Sequence, residues 1–233
     1  MTGASDPFSI DFIGDVVCPW CFLGWTRLKA ALALRPGLGA EVLWRPYQLQ
    51  FDVPEAGLPY AEFMASLFPD PARRREMDER LTGMGKAEGL DFDLAAIAFR
   101  PNTNAAHRLI RWAGPAAGPA QRIRRWAGPA AGPVAEAVMR AHFIQGRNIG
   151  DPEVLAAVAG EQGLDAGEAL AYLRSGRDKD VVDEECRMAS QAGVNGVPFM
   201  ILANRIAVSG AEAPERLVYA IDKAIEVQRE SAG

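Results

Sequence analysis

Cysteine and histidine are scarce in this chain. Cys18, Cys21 and Cys186 are the only three cysteines, and His107 and His142 the only two histidines. So few cysteines exclude a disulfide-stapled scaffold and suit a reducing compartment in which one pair is catalytic. No second CxxC and no HxxxH accompanies Cys18-x-x-Cys21, so a structural zinc site lacks its second ligand pair. Positive charge is also short. Lysine and arginine number 25 against 30 aspartates and glutamates, for a net charge of −5. That balance argues against nucleic acid or an anionic membrane as the main partner. No apolar run is long enough to span a bilayer, and no basic segment with a long apolar core follows Met1. The expected location is the cytoplasm, without a removed leader.

What is present is an ordinary globular composition, 49% apolar and 24% charged. It allows a large core, as one domain with an insertion or as two lobes. The chain is organised around Val17-Cys18-Pro19-Trp20-Cys21-Phe22-Leu23-Gly24. This stretch follows a short apolar run and precedes a helical pattern. The two sulfurs can therefore close a small disulfide ring across the first turn of a helix. There a Cys18 thiolate faces unpaired backbone N–H groups and the positive end of the helix dipole, which is expected to lower its pKa. Spacing and context favour redox chemistry over half of a zinc site.

In chain order, Phe8, Ile10 and Phe12 alternate with polar residues and predict a strand. Cys21, Trp25, Leu28 and Leu32 mark one helix face, which Arg35-Pro36-Gly37 ends. Glu41 to Leu49 predicts a second strand with Pro46 near its end or at a sheet edge. A helix between two strands implies a parallel, right-handed unit. From Tyr60 to about Gln191 the pattern is helical with almost no strand signal. Asp70-Pro71 and Asp151-Pro152 are helix starts, and Gly89 and Gly163 are stops. Asp165 and Asp178 open two more helices, and Val134 to Gln145 is another. Strand character returns at Val197 to Leu202 and at Ile206 to Val208, a hairpin around Ala203-Asn204-Arg205. Pro214 then opens a helix with the apolar face Leu217, Val218, Ile221, Ala224 and Ile225.

An internal repeat lies in the helical part. Arg108 to Gln121 and Arg122 to Ala135 share ten of fourteen positions. Two copies are too few for a stacked array, and the Gly-Pro pairs forbid a continuous helix. The repeat is read as a tandem duplication lengthening a helix–helix connection, with Trp112 or Trp126 left exposed.

Strand, CxxC helix, strand, helical lobe, hairpin and helix together resemble the DsbA family of thiol–disulfide oxidoreductases, most of all its FrnE-type subgroup. The residues that carry the resemblance are Asp15-x-x-Cys18-Pro19-Trp20-Cys21, Arg45-Pro46, Asn102-Thr103, Ala106-His107-Arg108-Leu109, Gly193-Val194-x-Gly196-Val197-Pro198-Phe199 and Ser209-Gly210-Ala211. The doubled RWAGPAAGP departs from the family pattern. The resemblance implies an α/β, thioredoxin-like fold with a large all-helical insertion. Residues 8–58 and 194–230 would form the thioredoxin-like domain and 59–193 the inserted helical domain. It also implies that Pro198 is a cis proline facing the CxxC. X–Pro is the one common cis bond, and proline brings no N–H to compete at the sulfurs. The Val197 backbone would then be free to pair with an extended substrate.

Thiol chemistry supplies the expected roles. Cys18, at the helix end, is expected to be the exposed nucleophile and Cys21, one turn deeper, the resolving cysteine, while Pro19 and Trp20 tune the thiolate. Asp15 either relays protons or holds the loop, and the loop role is favoured. The implied partners are protein or small-molecule thiols and disulfides. Glutathione is a candidate co-substrate, no bound cofactor or metal is implied, and a homodimer stays open. Cys186 reads as a buried free thiol. His107 reads as a structural hydrogen-bonding residue of the helical lobe, and nothing near His142 suggests a metal. Gly83-Met84-Gly85 lacks a third glycine and follows no strand, so it is not a dinucleotide fingerprint. Phe63, Met64, Leu67 and Phe68 read mostly as core, with part of the stripe lining the groove above Cys18.

Two other function classes compete. One is a glutathione-dependent isomerase or transferase of the 2-hydroxychromene-2-carboxylate isomerase or kappa type. Those relatives typically carry serine at the first active-site position, and this chain has both cysteines. The other is a non-enzymatic chaperone or binding module. Trp20 is uncharged and cannot support a thiolate as a histidine there could, so the pair is expected to be less oxidising than a histidine-bearing one. A redox titration against glutathione checks this, and a potential near that of a strong oxidant contradicts it.

Overall fold

A computed structural model describes residues 8–114 and 131–231. The alternating segment forms β1 (Ser9–Gly14), with Ile10 and Phe12 buried on one face. The chain turns through Asp15–Val17 into α1 (Pro19–Ala33), with Pro19 in its first turn. Proline is favoured there because its fixed φ suits a helix and its missing N–H would have no partner anyway. The chain returns as β2 (Glu41–Pro46), parallel to β1 with Phe12 opposite Trp44. This strand ends three residues before the expected Leu49. The Tyr47 N–H makes a last bond to Gly14 O at 3.0 Å. The chain then leaves β1, and the Leu49 N–H goes to the Asp15 side chain instead.

The middle of the chain holds one feature the pattern did not predict. β3 (Leu58–Pro59) and β4 (Phe99–Arg100) pair antiparallel. Two residues per strand are too few to carry an alternation. Between them lie α2 (Tyr60–Leu67) and α3 (Pro71–Ala87). The apolar stripe on α2 is not core as expected. Only Met64 is buried, and Leu67 is 49% exposed. Among the described residues the helix rests mainly on β3 and β4, two short strands that leave part of the stripe uncovered. Gly83-Met84-Gly85 lies inside α3 as ordinary helix.

α4 (Asn104–Ala113), α5 (Ala131–Phe143), α6 (Pro152–Glu161), α7 (Ala166–Arg174) and α8 (Lys179–Gln191) pack on one another, and α5 and α8 also reach β2. Asp70, Asp151 and Asp165 cap their helices through side-chain oxygens, as predicted. Asp178 sits at the N-cap of α8 with φ 61 and makes no such bond. It accepts from the Tyr172 hydroxyl instead, at 3.0 Å. Arg108 is buried where α7 ends. Its Nη2 donates to Tyr172 O and Leu173 O at 3.0 Å each, and its Nε to Arg177 O at 2.6 Å. These include the last carbonyls of α7, which the C-cap turn also contacts, through the Ser175 N–H to Tyr172 O at 3.2 Å and the Gly176 N–H to Leu173 O at 3.5 Å. Trp112 is not left exposed, because it stacks on Tyr172 at 6.2 Å. Most of the repeat, including Trp126, lies outside the described residues.

The chain then forms β5 (Phe199–Leu202) and β6 (Ile206–Ser209), an antiparallel hairpin that turns at Ala203 and Asn204, both of positive φ. β5 pairs antiparallel with β1, giving the order β2-β1-β5-β6. α9 (Pro214–Glu230) buries Leu217, Ile221 and Ala224, and packs on α1, β5 and β6. This is an α/β, thioredoxin-like fold with its helical insertion between β2 and β5. At its centre Phe12 stacks on Trp44 at 5.3 Å and meets Trp25 edge-on at 5.2 Å. Strand β1, helix α1 and strand β2 each contribute one of these rings. Replacing Arg108 with methionine removes the donors while roughly keeping the volume. It should cost about 3 kcal/mol in urea denaturation, and a loss within error of zero refutes the capping role.

Candidate active site

The site forms where β1 ends and α1 begins. Asp15 O accepts the Cys18 N–H at 3.0 Å, closing a turn. Cys18 becomes the N-cap of α1 with φ −97 and ψ 112, and its own carbonyl accepts the Cys21 N–H at 2.9 Å. The first turn of α1 thus stacks Cys21 behind Cys18. All three cysteines are free thiols. Cys18 is only 4% exposed, not open at the helix end as expected, because the Val197 segment lies against its sulfur, and Cys21 is fully buried. Trp20, half-buried, packs against the core beside them. Gly14 lets the strand pass this close, since a Cβ there would stand 3.3 Å from Cys21 Sγ and 2.9 Å from the Phe12 ring.

The other wall is the segment before β5. The Val197–Pro198 peptide bond is cis. Val197 O lies 3.7 Å from Cys18 Sγ, within reach of the thiol S–H. Pro198 seats against α1 at Gly24, where a Cβ would meet its ring at 2.8 Å. Cys18, Cys21, Val197 and Pro198, far apart in sequence, are therefore brought together.

Beneath them is a buried polar cluster. Asp15 is 1% exposed. Its Oδ2 accepts the Leu49 N–H at 2.9 Å, and Oδ1 lies 3.5 Å from His107 Nε2. The loop is held, as expected for Asp15, but from a buried position and not a solvated one. His107 differs more. Instead of serving the helical lobe, it joins α4 to the sheet. Trp44 Nε1–H donates to its Nδ1 at 3.3 Å, which places the ring proton on Nε2, 3.1 Å from Tyr47 O. Burial opposes the Asp15 charge, but the nearby His107 ring, the Arg100 guanidinium and the Leu49 N–H hold its carboxyl below the usual range. Burial, the neighbouring Cys18 and the charge of Asp15 push the Cys21 thiol well above its usual value. Cys21 is therefore a thiol at neutral pH.

Arg100, at the end of β4, is the site residue the motif search missed. Its Nη1 donates to Val17 O at 3.3 Å, its Nη2 to Gln50, and its guanidinium lies 5.1 Å from the Phe63 ring. An arginine 82 residues from Cys18 in sequence, in a segment without strand periodicity, gave no signal. The α2 stripe does border this region, through Phe63. Cys186 is fully buried on α8, and burial raises its pKa well above normal, so it stays apart as an inert thiol. Among the described residues no three His, Cys, Asp or Glu side chains converge as metal ligands do. No helix among them is long and apolar enough to cross a membrane.

The fold and the dithiol at the start of α1 define the thioredoxin class. The chain belongs to the DSBA-like thioredoxin domain family, whose model matches residues 9–222. A crystal structure of a probable DsbA oxidoreductase from Streptomyces coelicolor superposes with a TM-score of 0.78 at 27% identity, covering 94% of this chain and 90% of that one. The Bacillus subtilis protein YwbO, itself uncharacterized, is 23% identical over 84% of this chain and 88% of its own. The cytosolic disulfide reductase DsbM from Pseudomonas aeruginosa, solved with glutathione, shares the fold at 18% identity. Its TM-score is 0.57, with 96% and 98% coverage. A 2-hydroxychromene-2-carboxylate isomerase shares it at 18% identity and a TM-score of 0.61, again with 96% and 98% coverage.

One titration follows from the burial around the site. Burial and the charge of Arg100 push His142 from 6.5 to about 4. Between these values the unfolded chain binds a proton that the folded one refuses. Stability from this group is thus complete above pH 6.5 and falls as pH drops toward about 4, by about 3 kcal/mol. Urea titrations across that window should show this loss, and His142→Gln should flatten it. An equally steep loss in the variant assigns it to another group.

Proposed function

We infer that the chain is a thiol–disulfide oxidoreductase working through the Cys18-Pro19-Trp20-Cys21 dithiol. The observation that carries this reading is a free dithiol at the start of a fifteen-residue helix, with Cys18 Sγ 3.7 Å from Val197 O. In the reductive direction the Cys18 thiolate attacks a substrate disulfide. A Cys18–substrate disulfide forms, the substrate bond breaks, and the first substrate thiolate leaves to take a proton. Cys21 then gives up its proton and attacks Cys18 Sγ. The Cys18–Cys21 disulfide forms and the second substrate thiol departs. Two electrons pass from the dithiol to the substrate, and the reverse sequence oxidises a substrate dithiol.

Asp15 tunes the second step. It is the carboxylate whose charge bears on Cys21, and it is held ionised, ready to receive that proton. Pro19 and Trp20 fix the first turn of the helix. Val197 and Pro198 receive the substrate chain beside the sulfur. Residues 8–58 and 194–230 serve as the catalytic frame, and the inserted 59–193 reaches the active-site turn through Arg100. The partners are thiols and disulfides of proteins or small molecules. Glutathione is the proposed co-substrate, supported by its presence in the DsbM structure of shared fold and by the enclosure of Cys18. The small number of cysteines supports a reducing, cytoplasmic setting.

The likeness to 2-hydroxychromene-2-carboxylate isomerase supports a second reading, a glutathione-dependent isomerase. Substitution at Cys21 separates the two. Cys21→Ser should drop insulin reduction to the uncatalysed rate, and Cys21→Ala should retain mixed disulfides on Cys18, visible by mass spectrometry. Retained glutathione-dependent isomerisation in Cys21→Ser, with no trapped disulfide in Cys21→Ala, favours the isomerase.

A further inference from the structure

The position of Arg100 has no explanation in packing alone. It is 5% exposed, and its Nε is buried without a hydrogen-bond partner among the described residues. A buried guanidinium with an unmet donor is costly. Such a charge persists where an anion compensates it. Its other contacts bind it to the active-site turn. Nη1 holds Val17 O, the carbonyl of the peptide that carries the Cys18 nitrogen, and Nη2 holds Gln50. The Phe63 ring covers one face. The acidic groups whose charge bears on it are Asp15, Cys18 and Tyr60. His142 is the neighbouring base.

The geometry points to Arg100 as the fixed cation that balances the negative charge of the reduced Cys18–Cys21 pair, a positioning residue that sets the oxidising strength of the site. The inference rests on the oxidoreductase reading and deepens it. The attacking form of the reduced protein is the Cys18 thiolate, which carries one negative charge, its proton having passed to solvent. In the oxidised protein the Cys18–Cys21 bond has formed, the two electrons have passed to the substrate disulfide, and neither sulfur is charged. A cation fixed at the active-site turn in both states stabilises only the form that carries the thiolate, because the disulfide has no charge for it to balance. Arg100 therefore pulls the equilibrium between protein disulfide plus two glutathiones and protein dithiol plus glutathione disulfide toward the dithiol. It supplies the positive charge that Trp20 does not. Asp15, whose Oδ2 accepts the Leu49 N–H, is the counter-charge in both resting states and gives up that role only while it carries the Cys21 proton.

The test compares Arg100→Gln and Arg100→Lys with the parent protein. Two quantities are read, the iodoacetamide alkylation rate of Cys18 at neutral pH and the equilibrium constant with glutathione. Arg100→Gln should slow alkylation about tenfold and shift the equilibrium about tenfold toward the disulfide, the effect of losing one nearby opposite charge. Arg100→Lys keeps the charge but loses the two-armed grip, and should recover most of both. If Arg100→Gln matches the parent, or if Arg100→Lys is as impaired as Arg100→Gln with an unchanged circular dichroism spectrum, the role is structural and the proposal falls. Should Arg100→Gln not fold, Arg100→Lys decides alone, near-parent rates supporting the proposal and a tenfold loss overturning it. The alkylation rate needs no turnover. A parent protein that neither equilibrates with glutathione nor reduces insulin overturns the oxidoreductase reading separately.

Discussion

The structure depends on one buried carboxylate. Asp15 stands at the point where β1 stops and the CxxC begins, and four segments converge on it. Its carbonyl accepts the Cys18 N–H, and its Oδ2 accepts the N–H of Leu49 beyond β2. Its Oδ1 faces His107 from α4, and the charge of Arg100 from β4 bears on it. An ionised group so placed must be neutralised by hydrogen bonds and opposite charge, or it would take up a proton. The neutralising groups come from segments that cannot move without exposing that cost. The turn that presents Cys18 is fixed by the same bonds.

His107 extends this hold into the core. Its ring accepts from Trp44, which stacks on Phe12 and meets Trp25 edge-on at 5.8 Å. The chain of contacts runs from the Asp15–Cys18 turn through a histidine to the three rings that join β1, α1 and β2. The helical insertion is thereby tied to the sheet by hydrogen bonds as well as packing. Arg108, the next residue, faces the other way and closes the end of α7. Adjacent positions on α4 thus serve the sheet and the lobe.

The site is more strongly charged than its motif suggests. Cys-Pro-Trp-Cys contains no ionisable residue besides its thiols, and the nearby charge comes from Asp15 and Arg100. Opposite charges in a water-poor region act on each other more strongly than they would in solvent. The same surroundings separate the two cysteines chemically. Cys18 opens toward Val197, while Cys21 is kept protonated by burial and by the negative groups around it. The proposed division of attack and resolution between these two thiols rests on that difference.

Much of the fold could be read in the sequence, because its signals are local. The period-two run of Phe8, Ile10 and Phe12, the Asp-Pro helix starts and the CxxC before a helical stripe each depend on a few neighbouring residues. Short-range sterics and hydrogen bonding determine them wherever the chain lies. The family resemblance rested on the same kind of contiguous motif. Other features stayed hidden because they are meetings between distant residues. The two-residue strands β3 and β4, the exposure of Leu67, the reach of His107 to Trp44 and the burial of Arg100 beneath Val17 all arise from which surfaces pack together. The sequence by itself determined the element order and the presence of a dithiol at a helix start. Only the tertiary structure decided which charges surround that dithiol, because electrostatic environment is a property of distance and burial, and neither is a function of position along the chain.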